Sequence, residues 1–84
     1  MKYCFITFRS VTWAQRGEQA LQKEGIRCTL LRTPKWMEEQ GCGYCLRLHS
    51  SRTAEAVACL NKEKISMRKV YAQTADGRLE EWRP

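Results

Sequence analysis

The residues best suited to chemistry in this chain stand together, in Gly41-Cys42-Gly43-Tyr44-Cys45. Two thiols, separated by two residues, lie in a glycine-flanked segment that runs into an apolar stretch. Glycine on either side of Cys42 permits backbone conformations that other residues avoid, which suits a sulfur held in the open at a strand mouth. A thiol placed so is fitted for exchange chemistry, because the thiolate is the nucleophile and needs access and a lowered pKa.

Three uses of such a pair can be weighed. A structural zinc site needs about four ligands, and no second cysteine pair has suitable spacing; His49 would supply only a third ligand. The expectation is therefore no metal and no cofactor. A dithiol redox couple of the thioredoxin kind would follow a strand and open a helix, whereas here the motif follows a loop and opens a strand. Residues three apart in extended chain lie about 10 Å apart, and a disulfide needs Cα atoms within about 7 Å. Cys42 and Cys45 are thus expected to stay unbridged unless Gly43-Tyr44 turns. The third use is single-thiol exchange at Cys42. Cys4, Cys28 and Cys59 fall on strand or helix positions, where a cysteine behaves as a small hydrophobe.

The elements that must position these thiols follow from the pattern of the chain. Lys2 to Phe8 is aromatic and β-branched and reads as a strand. Thr12 with Gln15 forms a capping box for a first helix, with Ser10 as the alternative cap. Trp13, Ala14, Gly17, Ala20 and Leu21 then recur at helical spacing, and Gly25 is placed to end the helix. Ile26 to Arg32 alternates as a second strand, which Thr33-Pro34 breaks. Tyr44 to Leu48 is a third strand, with Tyr44, Leu46 and Leu48 on one face and Cys45, Arg47 and His49 on the other. Ser50 or Ser51 caps a second helix to about Lys62, whose Ala54, Val57, Ala58 and Leu60 point inward. Met67 to Ala75 reads as a fourth strand. Asp76-Gly77 is a tight-turn signal, from which Arg78 to Trp82 would return as a fifth.

The order predicts an α+β fold, the ferredoxin-like split βαβ sandwich, with an antiparallel sheet in the order 4-1-3-2 and an added C-terminal hairpin strand. Residues 1–75 form the single domain, and 76–84 its closing turn and hairpin or tail. Both helices cover one sheet face. The other, carrying Arg27, Cys45, Arg47 and His49, is expected to be open. In this topology the end of the first strand, the start of the first helix and the start of the third strand share one sheet edge. Cys42 is then expected near Arg9, Ser10 and a helix N-terminus, with Arg32 and Lys35 close in sequence, all of which favour a thiolate.

Eighty-four residues give a modest core, with roughly 60–65 % of the unfolded surface buried, and leave no room for an internal substrate cavity. No apolar run is long enough to span a membrane. The N-terminus is too quickly charged for a signal peptide, so a cytoplasmic protein with reduced thiols is expected. Fifteen Lys+Arg against nine Asp+Glu, net +6, favour anionic partners. Tyr3, Phe5 and Tyr44 with that charge invite an RNA-binding reading. Against it, the third strand lacks the later aromatics of an RNA-recognition motif.

The first strand Tyr-Cys-Phe-Ile-Thr-Phe-Arg-Ser, the helix ending Glu-Gly-Ile, the Thr-Pro after strand two, and Cys-Gly ahead of Leu-Arg carry a family resemblance. Over roughly residues 1 to 72 the chain resembles the selenium/sulfur carrier-like proteins, small bacterial and archaeal domains. The resemblance implies a carrier or accessory protein rather than a stand-alone enzyme. It would hold sulfur or selenium as a persulfide or selenopersulfide on the residue matching Cys42. Arg9, Ser10 and Arg47 match its other recognisable positions, with Gly43 beside the sulfur. A donor such as a cysteine desulfurase and an acceptor are the implied partners. Cys45 departs from the pattern and introduces a second thiol able to resolve or tune the first.

Overall fold

The computed structural model describes residues 2–33 and 43–82. Its elements are β1 (Tyr3–Phe8), α1 (Val11–Lys23), β2 (Cys28–Arg32), β3 (Tyr44–His49), a 3-10 turn (Ser50–Arg52), α2 (Thr53–Lys62), β4 (Val70–Gln73) and β5 (Leu79–Glu81). The sheet order is β2-β3-β1-β4-β5, and every neighbouring pair is antiparallel. Read from the β5 edge this is 5-4-1-3-2, so the sheet differs from the expected four-stranded order by the strand added outside β4. β1 and β2 run parallel with β3 between them, and β3 and β4 run parallel with β1 between them. Each βαβ unit is therefore split by an inserted strand, the arrangement of an α+β sandwich.

Alternation explains the core. Cys4, Ile6 and Phe8 of β1 and Leu46 and Leu48 of β3 face the helices, where they meet Ala14, Ala20 and Leu21 of α1 and Ala56, Cys59 and Leu60 of α2. Burying side chains of this size contributes about 1.5–3 kcal/mol each. Gly17 lets α1 approach closely: a Cβ there would stand 3.0 Å from Phe8 Cζ and 3.3 Å from Leu46 Cδ1.

Ser10, the alternative cap, is the one used; its hydroxyl accepts the Trp13 N–H at 3.3 Å. α1 ends in a Schellman motif. Gly25 takes φ +75°, its N–H donates to Gln22 O, and the Ile26 N–H reaches Leu21 O at 2.9 Å. α2 ends the same way, except that Lys64 holds the left-handed position at φ +57° and the Ile65 N–H reaches Leu60 O.

Three expectations are corrected. Neither Ser50 nor Ser51 caps α2. Those residues form a 3-10 turn capped by His49, and α2 begins at Thr53 without a side-chain cap. The extra turn rotates the helix, so Thr53, Ala56, Cys59 and Leu60 are buried, while Ala54 and Ala58 are exposed and Val57 is half-buried. The fourth strand starts later than Met67 because of a bulge. Thr7 faces both Arg68 and Lys69: its N–H donates to Lys69 O, its carbonyl accepts from Arg68 N–H, and its hydroxyl accepts the Lys69 N–H at 3.0 Å. That extra residue lets Met67 and Val70, three apart, both pack on the core.

Candidate functional site

The register of β1 against β3 places Phe8 opposite Tyr44. Arg9 and Ser10 therefore lie at the same sheet edge as Gly43, as does the first turn of α1. That turn carries no acidic side chain, so although Ser10 Oγ takes the Trp13 N–H, no carboxylate competes there with an anion for the helix's positive end. Arg9 is exposed and makes no ion pair among the described residues. Ser10 Oγ is engaged as the helix cap. Gly43 is buried, and its carbonyl accepts the Thr33 N–H at 3.0 Å, closing the segment between them. Cys42, with Gly41 and Lys35, lies outside the described residues.

Cys45 is where the sequence reading is overturned. It stands on the face opposite Leu46, as alternation requires, but that part of the face is not open: Cys45 is 0 % exposed and Thr7, opposite it, is 2 %. Burial pushes the Cys45 thiol up, opposed by the Thr33 hydroxyl and the Arg47 charge. Thr33 Oγ1 is itself buried and has no hydrogen-bond partner among the described residues. Cys45 is a free thiol, unbridged as expected. Thr33 is the site residue that sequence reasoning missed. Its signal was a polar side chain just past a strand end, two residues beyond Leu31, which pairs with Cys45.

The other described cysteines are also held protonated. Burial raises Cys4, against a hydrogen bond from Thr53. Burial, helped by Glu18, raises Cys28 to about 11. Burial, then Glu24 and Glu63, raise Cys59, whose Sγ donates to the Ala20 carbonyl at 3.5 Å.

Arg47 lies toward the other end of β3 from Gly43, with its guanidinium carbon 4.7 Å from the centre of the Tyr3 ring. Tyr3 and Phe5 share the sheet face away from the helices, their rings 6.5 Å apart edge to face, and Tyr71 stands opposite Phe5 on β4. Tyr44 does not join them. It packs against the helix-side core. Among the described residues no cluster of three or more His, Cys, Asp or Glu could hold a metal, and no helix is long and apolar enough to cross a membrane.

These features define a small α+β domain in which three of the four described thiols are buried and Cys28 is half-buried, with Arg9 and the start of α1 at the sheet edge where Thr33 meets Gly43. The family model described as "Putative Se/S carrier protein-like" matches residues 3–72, and the chain belongs to that family. No curated protein and no solved structure matches it.

Proposed function

We propose that the protein relays sulfur or selenium as a persulfide or selenopersulfide on Cys42, in a reducing cytoplasm. The observation that carries this reading is that all four described cysteines are held as thiols by burial. Family membership calls for a sulfur- or selenium-bearing group, and the remaining cysteine of the five is Cys42. Arg9 and the first turn of α1 are the groups at that sheet edge that favour its thiolate.

The step is an exchange without net redox change. The Cys42 thiolate attacks the outer sulfur of a donor persulfide, such as that of a cysteine desulfurase. A new S–S bond forms on Cys42, the donor's S–S bond breaks, and the donor leaves as a thiolate. An acceptor nucleophile takes the outer atom by the same displacement. Cys45, buried beside Thr33, resolves the persulfide only if its surroundings open.

The test is site-resolved mass spectrometry after incubation with a persulfide donor. One added sulfur is expected on Cys42, lost in Cys42→Ser and slowed in Arg9→Ala. Sulfur spread evenly over the five cysteines, or undiminished in Cys42→Ser, would remove the reading.

A second reading, RNA across the open face, draws on Tyr3, Phe5 and Tyr71. Tyr44, one of the three aromatics that suggested it, is on the other side of the sheet, which leaves it the weaker of the two.

A further inference from the structure

Where β2 begins and β3 ends, a cavity of about 560 Å³ opens beside the last turn of α1. Tyr3, Arg27, Cys28, Thr29, Arg47 and His49 line it, and no carboxylate does among the described residues. A smaller hollow lined by Gly25, Arg27, His49, Ser51 and Arg52 adjoins it. Arg52 is taken up by Glu55 through two 3.0 Å contacts. Arg27 and Arg47 make no ion pair among the described residues. Two cations converging on one concavity without an acid are balanced only by solvent or by an anionic ligand.

The donors are partly pre-set. Stacking over Tyr3 fixes the direction of the Arg47 guanidinium, which limits the rotamer freedom lost on binding. His49 Nδ1 accepts the Ser51 N–H at 3.2 Å and pairs with Ser51 Oγ at 2.7 Å. In the neutral ring that assigns the proton to Nε2, leaving an N–H donor. The hydroxyls of Tyr3 and Thr29 complete a set dominated by donors, the complement of an oxyanion. Cys28 is a neutral wall, since burial and Glu18 keep it a thiol. The cavity is therefore built to bind rather than to react.

We propose that this cavity binds a small molecule bearing a phosphate monoester, with Arg27 and Arg47 on the phosphate and the organic part against Tyr3. Its volume exceeds what a bare phosphate fills and falls within the range of small-ligand sites. A single-stranded nucleic acid fits less well. The aromatic row from Phe5 to Tyr71 leads away from Arg27 and Arg47 toward β5, where Glu81 pairs with Lys69 at 4.0 Å, so a polyanion following it would leave both arginines behind. Four residues of β3, about 13 Å, separate Arg47 from Gly43. The site is thus distinct from the Cys42 edge and does not rest on the carrier reading.

The experiment is a titration of the full chain, followed by amide chemical shifts and calorimetry, at low ionic strength where charge contacts are least screened. The probes are adenosine 5′-monophosphate, inorganic phosphate and an oligouridylate. Saturable shifts at Thr29, Arg47 and His49 are expected with the monophosphate, and weaker binding of inorganic phosphate at the same residues. Arg47→Gln and Arg27→Gln should each weaken the monophosphate about tenfold or more, the loss of a charge-assisted hydrogen bond. Arg16→Gln, the same charge change on α1, should leave it within about twofold. The two cavity variants must keep the wild-type amide spectrum away from the site. Four results would overturn the proposal: no saturable shift with the monophosphate; inorganic phosphate binding as tightly; equal weakening by Arg16→Gln; or tighter binding of the oligonucleotide with shifts spread over Phe5 and Tyr71.

Discussion

Cys28 offers the sharpest check on the idea that shielding, rather than sequence position, selects the reactive thiol. It is half-buried on β2, so a small alkylating reagent reaches it and its rate reports ionisation as well as access. With the thiol raised to about 11, about one molecule in a thousand is thiolate at pH 8, against about one in ten at the ordinary value of 9.0. The deficit is about 100-fold. A more basic thiolate is the better nucleophile, which returns about eightfold over two pH units. Cys28 in the folded chain should therefore label about tenfold slower than in urea, before any steric shielding. Glu18→Gln removes the smaller of the two causes and should speed labelling by a few-fold, with burial left in place. Iodoacetamide pulses from pH 7 to 11, read peptide by peptide, give the midpoint directly. A Cys28 midpoint at or below 9, or slower labelling in Glu18→Gln, would refute the electrostatic reasoning and with it the selection of Cys42 by elimination.

Other expectations concern stability. All four described cysteines are raised, so the folded state keeps protons that the unfolded chain releases. Stability should be fully present below about pH 8.5 and fall as pH rises toward 11, measured by urea unfolding, with a shallower fall in Cys28→Ser. Gly17→Ala should destabilise by about 1 kcal/mol despite a better helix former, because its Cβ meets Phe8 and Leu46, both fully buried. A gain in melting temperature there would show that Phe8 gives way. Lys64→Gly should stabilise by about 1 kcal/mol, since glycine takes φ +57° without the Cβ penalty; a loss on thermal unfolding would count against this reading of the cap.

The central strand β1 and its neighbour β3 were legible because period-two alternation is strong in both, where Ile6 and Leu46 mark the core side. Both helix ends were legible, at Gly25 and at about Lys62; what stayed hidden was the left-handed residue after α2, because the type of Lys64 conceals its conformation. The face of α2 was misread because a 3-10 turn advances the chain by a different angle per residue than an α-helix, so Ala56 and Cys59 hold the inward places that the sequence reading assigned to Ala54 and Ala58. The start of β4 was misread because the bulge opposite Thr7 breaks alternation between Met67 and Val70. For the site, the shared edge of Arg9, Ser10 and Gly43 followed from topology alone. The burial of Cys45 did not, because alternation assigns a side of the sheet and says nothing of what packs over it.

The hydrogen bond from Thr33 to Gly43, directly beyond the Arg32–Tyr44 pair, closes the chain on itself at the end of the β2–β3 ladder. With both ends fixed by the sheet, the entropy of closing the nine residues between them grows only with the logarithm of their number, by about 0.6 kcal/mol per doubling. On closure entropy alone, a change in that number costs little, so the ladder does not itself set the length of what it joins.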